Sequence, residues 1–256
     1  MNSVETAKAK CNHRLTQMTQ IGLIALIVVL GVDFCHRDTE NTEIEIVIVK
    51  APEKPRHPFQ TEYEEMLYPA VRITAGFSTG TGVAIDDYIL TAAHVVGDES
   101  TVEIETTNEH GLTRINASVV ITDTTRDLAL LKPQINTDST DKIYTAHLAP
   151  RDYTPYIFTP VYAVGCSLGL NPRPSAGNIT AINNDSWEVS SPILPGNSGG
   201  PVYNARTYEV IGIAVWVKVY DGQLITTMAG IVPINQIYEF LQNYERTKEP
   251  KNERTQ

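Results

Sequence analysis

What this chain lacks narrows its function first. No basic stripe runs through it: 20 lysines and arginines stand against 30 aspartates and glutamates, for a net charge of −10 and a pI near 5.1. A phosphate backbone therefore finds no run of cations, and nucleic acid is excluded as a partner. Cysteine is scarce as well. Cys11, Cys35 and Cys166 have neither the paired spacing of a zinc site nor the even count of a disulfide framework, so no metal, no cofactor and no obligatory disulfide is expected. Long apolar runs are also missing. The longest, Ile21 to Val32, reaches only about fifteen residues when Met18 is counted in, short for a spanning helix and natural for the apolar part of an export signal.

That run is still an export or membrane signal, because Lys8, Lys10 and Arg14 precede it and Asp33, Arg37, Asp38 and Glu40 follow it. The long polar start favours an uncleaved anchor over residues 18–32, with residues 1–17 cytoplasmic and the rest outside; a cleaved signal is the alternative. Residues 33–65 read as a linker carrying Pro52, Pro55 and Pro58, in which alternating Ile44, Ile46 and Ile48 could add a short strand. His36 and His57 are solvated there.

The chain is organised around Pro195-Gly196-Asn197-Ser198-Gly199-Gly200-Pro201. A serine among three glycines and two prolines suits neither a strand nor a helix interior. Such a loop offers bare backbone instead. The stretch Gly196, Asn197, Ser198 can turn amide N–H groups toward one oxygen while the Ser198 hydroxyl attacks the carbon beside it, an oxyanion hole joined to a nucleophile. An ordinary glycine turn is the bland alternative. Gly196 to Gly200 also fits the Gly-x-Ser-x-Gly elbow of α/β-hydrolases, in which the histidine follows the serine. No histidine follows Ser198. The base lies upstream, which leaves two chain orders open: His, Asp, Ser or Asp, His, Ser.

Upstream, from Tyr68, the pattern is of short strands broken by turns: 70–75, 82–85, 88–90, 101–105 and 118–121. This spacing suggests a barrel or sandwich. His94 closes the run Tyr88-Ile89-Leu90-Thr91-Ala92-Ala93-His94-Val95-Val96, where two alanines allow close backbone packing ahead of the imidazole. A lone histidine after an apolar run is usually a core residue; beside a candidate nucleophile it is the best available base. His110 and His147 read as turn and loop residues. Asp127 opens Asp127-Leu128-Ala129-Leu130-Leu131-Lys132, apolar on both faces. A carboxylate set ahead of such a run needs a partner, and an imidazole N–H suits it. Asp123 fits a strand-capping turn better.

Taken together, Gly80-Thr81-Gly82-Val83, the segments around His94 and Asp127, Val164-Gly165-Cys166-Ser167-Leu168-Gly169, Pro195 to Val202 and Val210-Ile211-Gly212-Ile213 resemble the HtrA/Deg-type branch of the trypsin-like serine proteases. The resemblance covers about Tyr68 to Leu241. It implies an all-β fold of two antiparallel Greek-key barrels over residues 66–150 and 155–233, with His94 and Asp127 on the first and Ser198 on the second. It also excludes the order Asp, His, Ser. The protease domain is then 66–245, ending in a helix over 233–245 with Ile234, Ile237, Tyr238, Leu241 and Tyr244 on one face, and residues 246–256 form a tail. No PDZ-sized domain follows in this sequence.

The activity implied is peptide-bond hydrolysis of polypeptide substrates through an acyl-enzyme, in protein quality control or regulated proteolysis, with a homo-oligomer as one possible state. A catalytically silent scaffold on the same fold is the rival reading. Neutral Asn197 cannot pair with a newly cut N-terminus, so activation of that kind is not expected. Pro192 stands where the resemblance would want an acid for arginine or lysine substrates. Ile193, Leu194, Ile213, Ala214, Val215 and Trp216 are therefore expected to wall an apolar pocket for small or medium aliphatic residues.

Overall fold

The computed structural model describes residues 5–8, 45–48, 62–108, 111–135 and 143–248. Two units divide the chain, Met1–Pro58 and Phe59–Gln256. In the first, strand β1 (Glu5–Lys8) pairs antiparallel with β2 (Glu45–Ile48), which contains two of the alternating isoleucines. The segment 18–32 read as an anchor, His36, His57, His110 and the tail from 249 lie outside the described residues. Among the described residues no helix is long and apolar enough to cross a membrane.

The second unit opens with helix α1 (Glu62–Leu67), which begins inside the stretch read as linker. Met66 gives the physical reason: its side chain is buried, and its carbonyl accepts a hydrogen bond from the Tyr203 hydroxyl at 3.1 Å. The first barrel follows, closed in the order β3 (Ala70–Ala75), β4 (Ser78–Ile85), β5 (Tyr88–Thr91), β8 (Leu128–Pro133), β7 (Gly111–Asp123), β6 (Thr101–Asn108). A short helix α2 (Ala93–Val96) leaves β5. The second barrel closes in the order β10 (Arg173–Ile182), β11 (Trp187–Val189), β14 (Gln223–Pro233), β13 (Val210–Tyr220), β12 (Pro201–Asn204), β9 (Pro160–Gly165). All of their strand pairs are antiparallel. The expected architecture of two barrels and a C-terminal helix is the one observed.

Successive strand side chains point to opposite faces, and in the first barrel both faces are apolar. Ala129 and Leu131 of β8 join Val71, Ile73, Ile89 and Ile104 in that barrel's own core. Leu128 and Leu130 point the other way, into a second core shared with Ile179, Tyr203 and Ile213 of the second barrel and with Ile234, Ile237 and Phe240 of helix α3 (Ile234–Lys248). The seam between barrels is thus built as an interior. Helix α3 runs past residue 245: Lys248 donates to Glu245 Oε1 at 2.7 Å and to the Tyr88 hydroxyl at 3.2 Å, tying its last turn to the first barrel. Phe240, fully buried, belongs to the buried face that the sequence placed at Ile234, Ile237, Tyr238, Leu241 and Tyr244.

Candidate active site

His94 sits in α2, one residue into a turn whose neighbours Ala92, Ala93, Val95 and Val96 are all buried. The small side chains of Ala92 and Ala93 let this turn pack tightly, and the imidazole stands out of it with 46% of its surface exposed. Asp127 lies at the entry to β8 with φ of 56°, a left-handed conformation that aspartate tolerates better than most residues. The turn before it is built by Asp123, whose Oδ1 accepts the backbone N–H groups of Thr125 and Arg126, each at 3.0 Å. Asp123 therefore has the turn-capping place its sequence context suggested. Arg126 fastens the same turn to α3, donating to Gln236 Oε1 at 2.8 Å and Glu239 Oε2 at 3.1 Å, and to Asp123 Oδ2 at 2.7 Å.

The Asp127 carboxylate grips His94 twice. Oδ1 accepts the His94 backbone N–H at 2.9 Å, and Oδ2 lies 2.6 Å from Nδ1 of the ring. With Nδ1–H donating to the carboxylate, the other ring nitrogen, Nε2, keeps its lone pair as an acceptor. The Asp127 hydrogen bond raises the His94 pKa above its ordinary value, its charge adds to that, and partial burial opposes both.

Ser198 is half-buried, and among the described residues its hydroxyl makes no hydrogen bond. Its backbone is held instead: Ser198 O accepts Thr81 N–H at 2.8 Å. Around it three peptide carbonyls are tied, Pro195 O by Leu168 N–H at 2.8 Å, Gly196 O by the Thr81 hydroxyl at 2.6 Å and Asn197 O by Gly200 N–H at 2.9 Å. A trans peptide points its C=O and N–H in opposite directions. Tying Pro195 O and Asn197 O therefore aims the N–H groups of Gly196 and Ser198 the other way, and neither has a partner among the described residues. Asn197 N–H, by contrast, is taken up by Leu194 O at 3.0 Å, so only the amides of Gly196 and Ser198 remain available from the segment 196–198. The Asn197 side chain is buried, its Oδ1 accepting from the Ser167 hydroxyl at 2.6 Å. Gly196 has φ of 96° and Gly199 φ of 81°; a side chain on Gly199 would run into Thr81 O and the Thr91 hydroxyl.

The expected pocket residues are divided. Ile193, Ile213 and Ala214 are buried, whereas Leu194 and Trp216 are partly exposed. Val215 and Trp216 share with Asp127 the lining of a cleft of about 610 Å³. The other four do not line it. The Trp216 indole lies across Gly230, its partner on β14, where any side chain would collide with it. Two residues that hold the site have no signal in the sequence, Thr81 and Arg126: Thr81 lies within Gly80-Thr81-Gly82-Val83, where its local context carries no sign of a role, and Arg126 is hidden beside Asp127. The thiol of Cys166 is buried, and burial pushes its pKa up to about 11, which leaves it inert.

Residues 78–213 match the trypsin-like peptidase domain. The chain is 30% identical over 198 residues to Do-like protease 14 of Arabidopsis thaliana, covering 68% of this chain and 43% of that protein. It is 31% identical over 186 residues to the magnetosome formation protease MamE of Paramagnetospirillum magneticum (68% and 24%), and 30% identical over 169 residues to a DegP-like periplasmic serine endoprotease of Pseudomonas fulva (62% and 32%). It thus spans less than half the length of these relatives. The crystal structure of a serine endoprotease from Yersinia pestis shares the fold at a TM-score of 0.61 and 24% identity, covering 73% of this chain and 68% of that one. A domain match that runs from β4 into the start of β13, with Deg-like proteins among the relatives, means that this chain belongs to the trypsin-like peptidase family.

Proposed function

We propose that this protein is a serine endopeptidase that uses Ser198 as nucleophile, His94 as general base and acid, and Asp127 as the group that orients and charge-stabilises His94. The observation that carries this reading is the pair of hydrogen bonds between Asp127 and His94, one to the backbone N–H and one to the ring, the second of which commits Nδ1 and leaves Nε2 as acceptor. Ser198 Oγ attacks the substrate carbonyl carbon as its proton passes to Nε2. The carbonyl oxygen becomes an oxyanion facing the Gly196 and Ser198 amides. His94 then gives the proton to the departing amine, leaving an acyl ester on Ser198; water, deprotonated by His94, attacks that ester and releases the acid. Pro192 beside Ile193 and the Val215–Trp216 strand supports cleavage after small or medium aliphatic residues in a polypeptide. Preferential cleavage after arginine in a peptide library overturns that part alone.

Relatives described as periplasmic, together with the apolar run at residues 18–32, support action outside the cytoplasm on a chain anchored at its N-terminal end. The test of the chemistry is intact-mass labelling with a fluorophosphonate of wild type, Ser198→Ala and His94→Ala. One adduct on wild type alone is expected. A folded wild type that takes no adduct sinks the reading.

A further inference from the structure

We propose that Thr81 of the first barrel is a positioning residue for the oxyanion loop of the second, acting through its hydroxyl; this rests on the endopeptidase reading above. Thr81 is fully buried in β4, and every polar atom it has is engaged. Its N–H donates to Ser198 O at 2.8 Å, and its carbonyl accepts from the Thr91 hydroxyl at 2.6 Å. Its own hydroxyl donates to Gly196 O at 2.6 Å and accepts from Cys166 N–H at 2.8 Å. Three of those four partners, Ser198, Gly196 and Cys166, belong to loops of the second barrel. The ladder between β4 and β5 ends at Gly82 opposite Thr91, so the residue just beyond it is free to serve the neighbouring barrel.

The hydroxyl acts at one particular place. Of the three successive peptide planes from Pro195 to Ser198, the outer two carry the free amides of Gly196 and Ser198, and their carbonyls are held by the second barrel's own backbone. The middle plane, Gly196–Asn197, has its carbonyl held by Thr81 from across the seam. Its N–H, that of Asn197, is held locally by Leu194 O at 3.0 Å, but Gly196 has φ of 96° and a glycine tolerates a wide range of backbone angles, so the Thr81 hydroxyl is the one tie on this plane that comes from outside the second barrel. A turn of this plane in which the changes in ψ of Gly196 and φ of Asn197 do not cancel redirects the Ser198 amide relative to the Gly196 amide. The same residue also registers base against nucleophile, because Thr91, bonded to Thr81 O, lies three residues before His94.

The experiment compares wild type, Thr81→Val and Thr81→Ser by fluorophosphonate labelling rate, by peptidase kcat and KM, and by the pH profile of kcat/KM. Deleting an oxyanion donor outright lowers kcat by ~10²–10³-fold, and misaiming one lowers it by less. Thr81→Val is expected to lower labelling rate and kcat by ~10–100-fold with KM within about threefold, because the loss falls on the transition state. Thr81→Ser, which returns the oxygen without the methyl, is expected to restore the rate to within about threefold of wild type. The pH midpoint is expected to stay put, since His94 and Asp127 are untouched.

Wild-type rates in Thr81→Val overturn the proposal, as does a Thr81→Ser as slow as Thr81→Val, which assigns the effect to packing. A displaced pH midpoint in Thr81→Val also overturns it, because the residue then acts through His94. Should Thr81→Val not fold, Thr81→Ala against Thr81→Ser gives the same contrast, these two differing by one oxygen. A wild type that neither labels nor cleaves removes the endopeptidase reading itself, a result distinct from any of these.

Discussion

The two barrels have six strands each and are built for different tasks. The first is buried on both sides of β8, with Ala129 and Leu131 facing its own core and Leu128 and Leu130 facing the seam. The second leaves the far end of its β13–β14 hairpin in solvent, where Val219, Tyr220, Leu224 and Met228 are exposed. His94 and Asp127 are placed by backbone that packing holds from two directions. Ser198 stands on a loop of glycines and prolines whose position depends on hydrogen bonds, two of them lent by Thr81 of the first barrel. Rigid packing places the proposed base; borrowed bonds place the proposed nucleophile.

The largest test of that division removes each partner in turn. Ser198→Ala and His94→Ala are each expected to lower kcat/KM by ~10⁴-fold or more, and the double variant by little beyond either single one, because the groups act as a unit. Additive losses in the double variant break the claim that the two barrels form one site.

Next comes Asp127→Asn, expected to lower kcat by ~10³–10⁴-fold through the wrong imidazole tautomer, with a pH signature. On the proposed mechanism base catalysis needs neutral His94, and a raised pKa keeps the ring protonated to higher pH, so the wild-type acid limb is expected to have its midpoint above the ordinary value of 6.5. The Asp127 bond is the largest cause of that elevation. The residual activity of Asp127→Asn is therefore expected to show its midpoint displaced downward; an unmoved midpoint in a pH titration of kcat/KM contradicts the assignment.

Stability separates the two faces of β8. Leu131→Ala opens the first barrel's own core and Leu130→Ala opens the seam, and each is expected to lower the unfolding free energy by ~2–5 kcal/mol in urea titrations. A seam that is only a surface contact would let Leu130→Ala pass with a fraction of that loss. The smallest effect is expected at Arg126, whose side chain is 27% exposed. Arg126→Met removes its bonds to Asp123, Gln236 and Glu239 at a cost of about 1 kcal/mol, read as a lower melting temperature.

The parts of this arrangement legible in the sequence are those written locally. Glycines around Ser198, alanines ahead of His94 and a carboxylate before a two-faced apolar run each state a backbone or burial requirement within a few residues. The barrels follow from short strands of alternating or continuous apolar character. Thr81 was illegible because its role comes from partners 85 to 117 positions away, and nothing in Gly80-Thr81-Gly82 announces them. The commitment of Asn197 N–H to Leu194 O was hidden for a related reason: a loop's sequence shows which peptide planes can turn, and only its tertiary ties decide which way each one faces. Helix α1 escaped notice because six residues are too few to display a period.

Arg126 carries one more consequence, in the order in which the chain is made. Its two partners on α3 lie 110 and 113 positions downstream and leave the ribosome after Ser198 does. A nascent chain that has already exposed Ser198 still lacks the clamp that fastens the Asp127 turn to α3. Birth order thus makes α3 a seal on the first barrel's contribution, set only after the strands of both barrels have been synthesised.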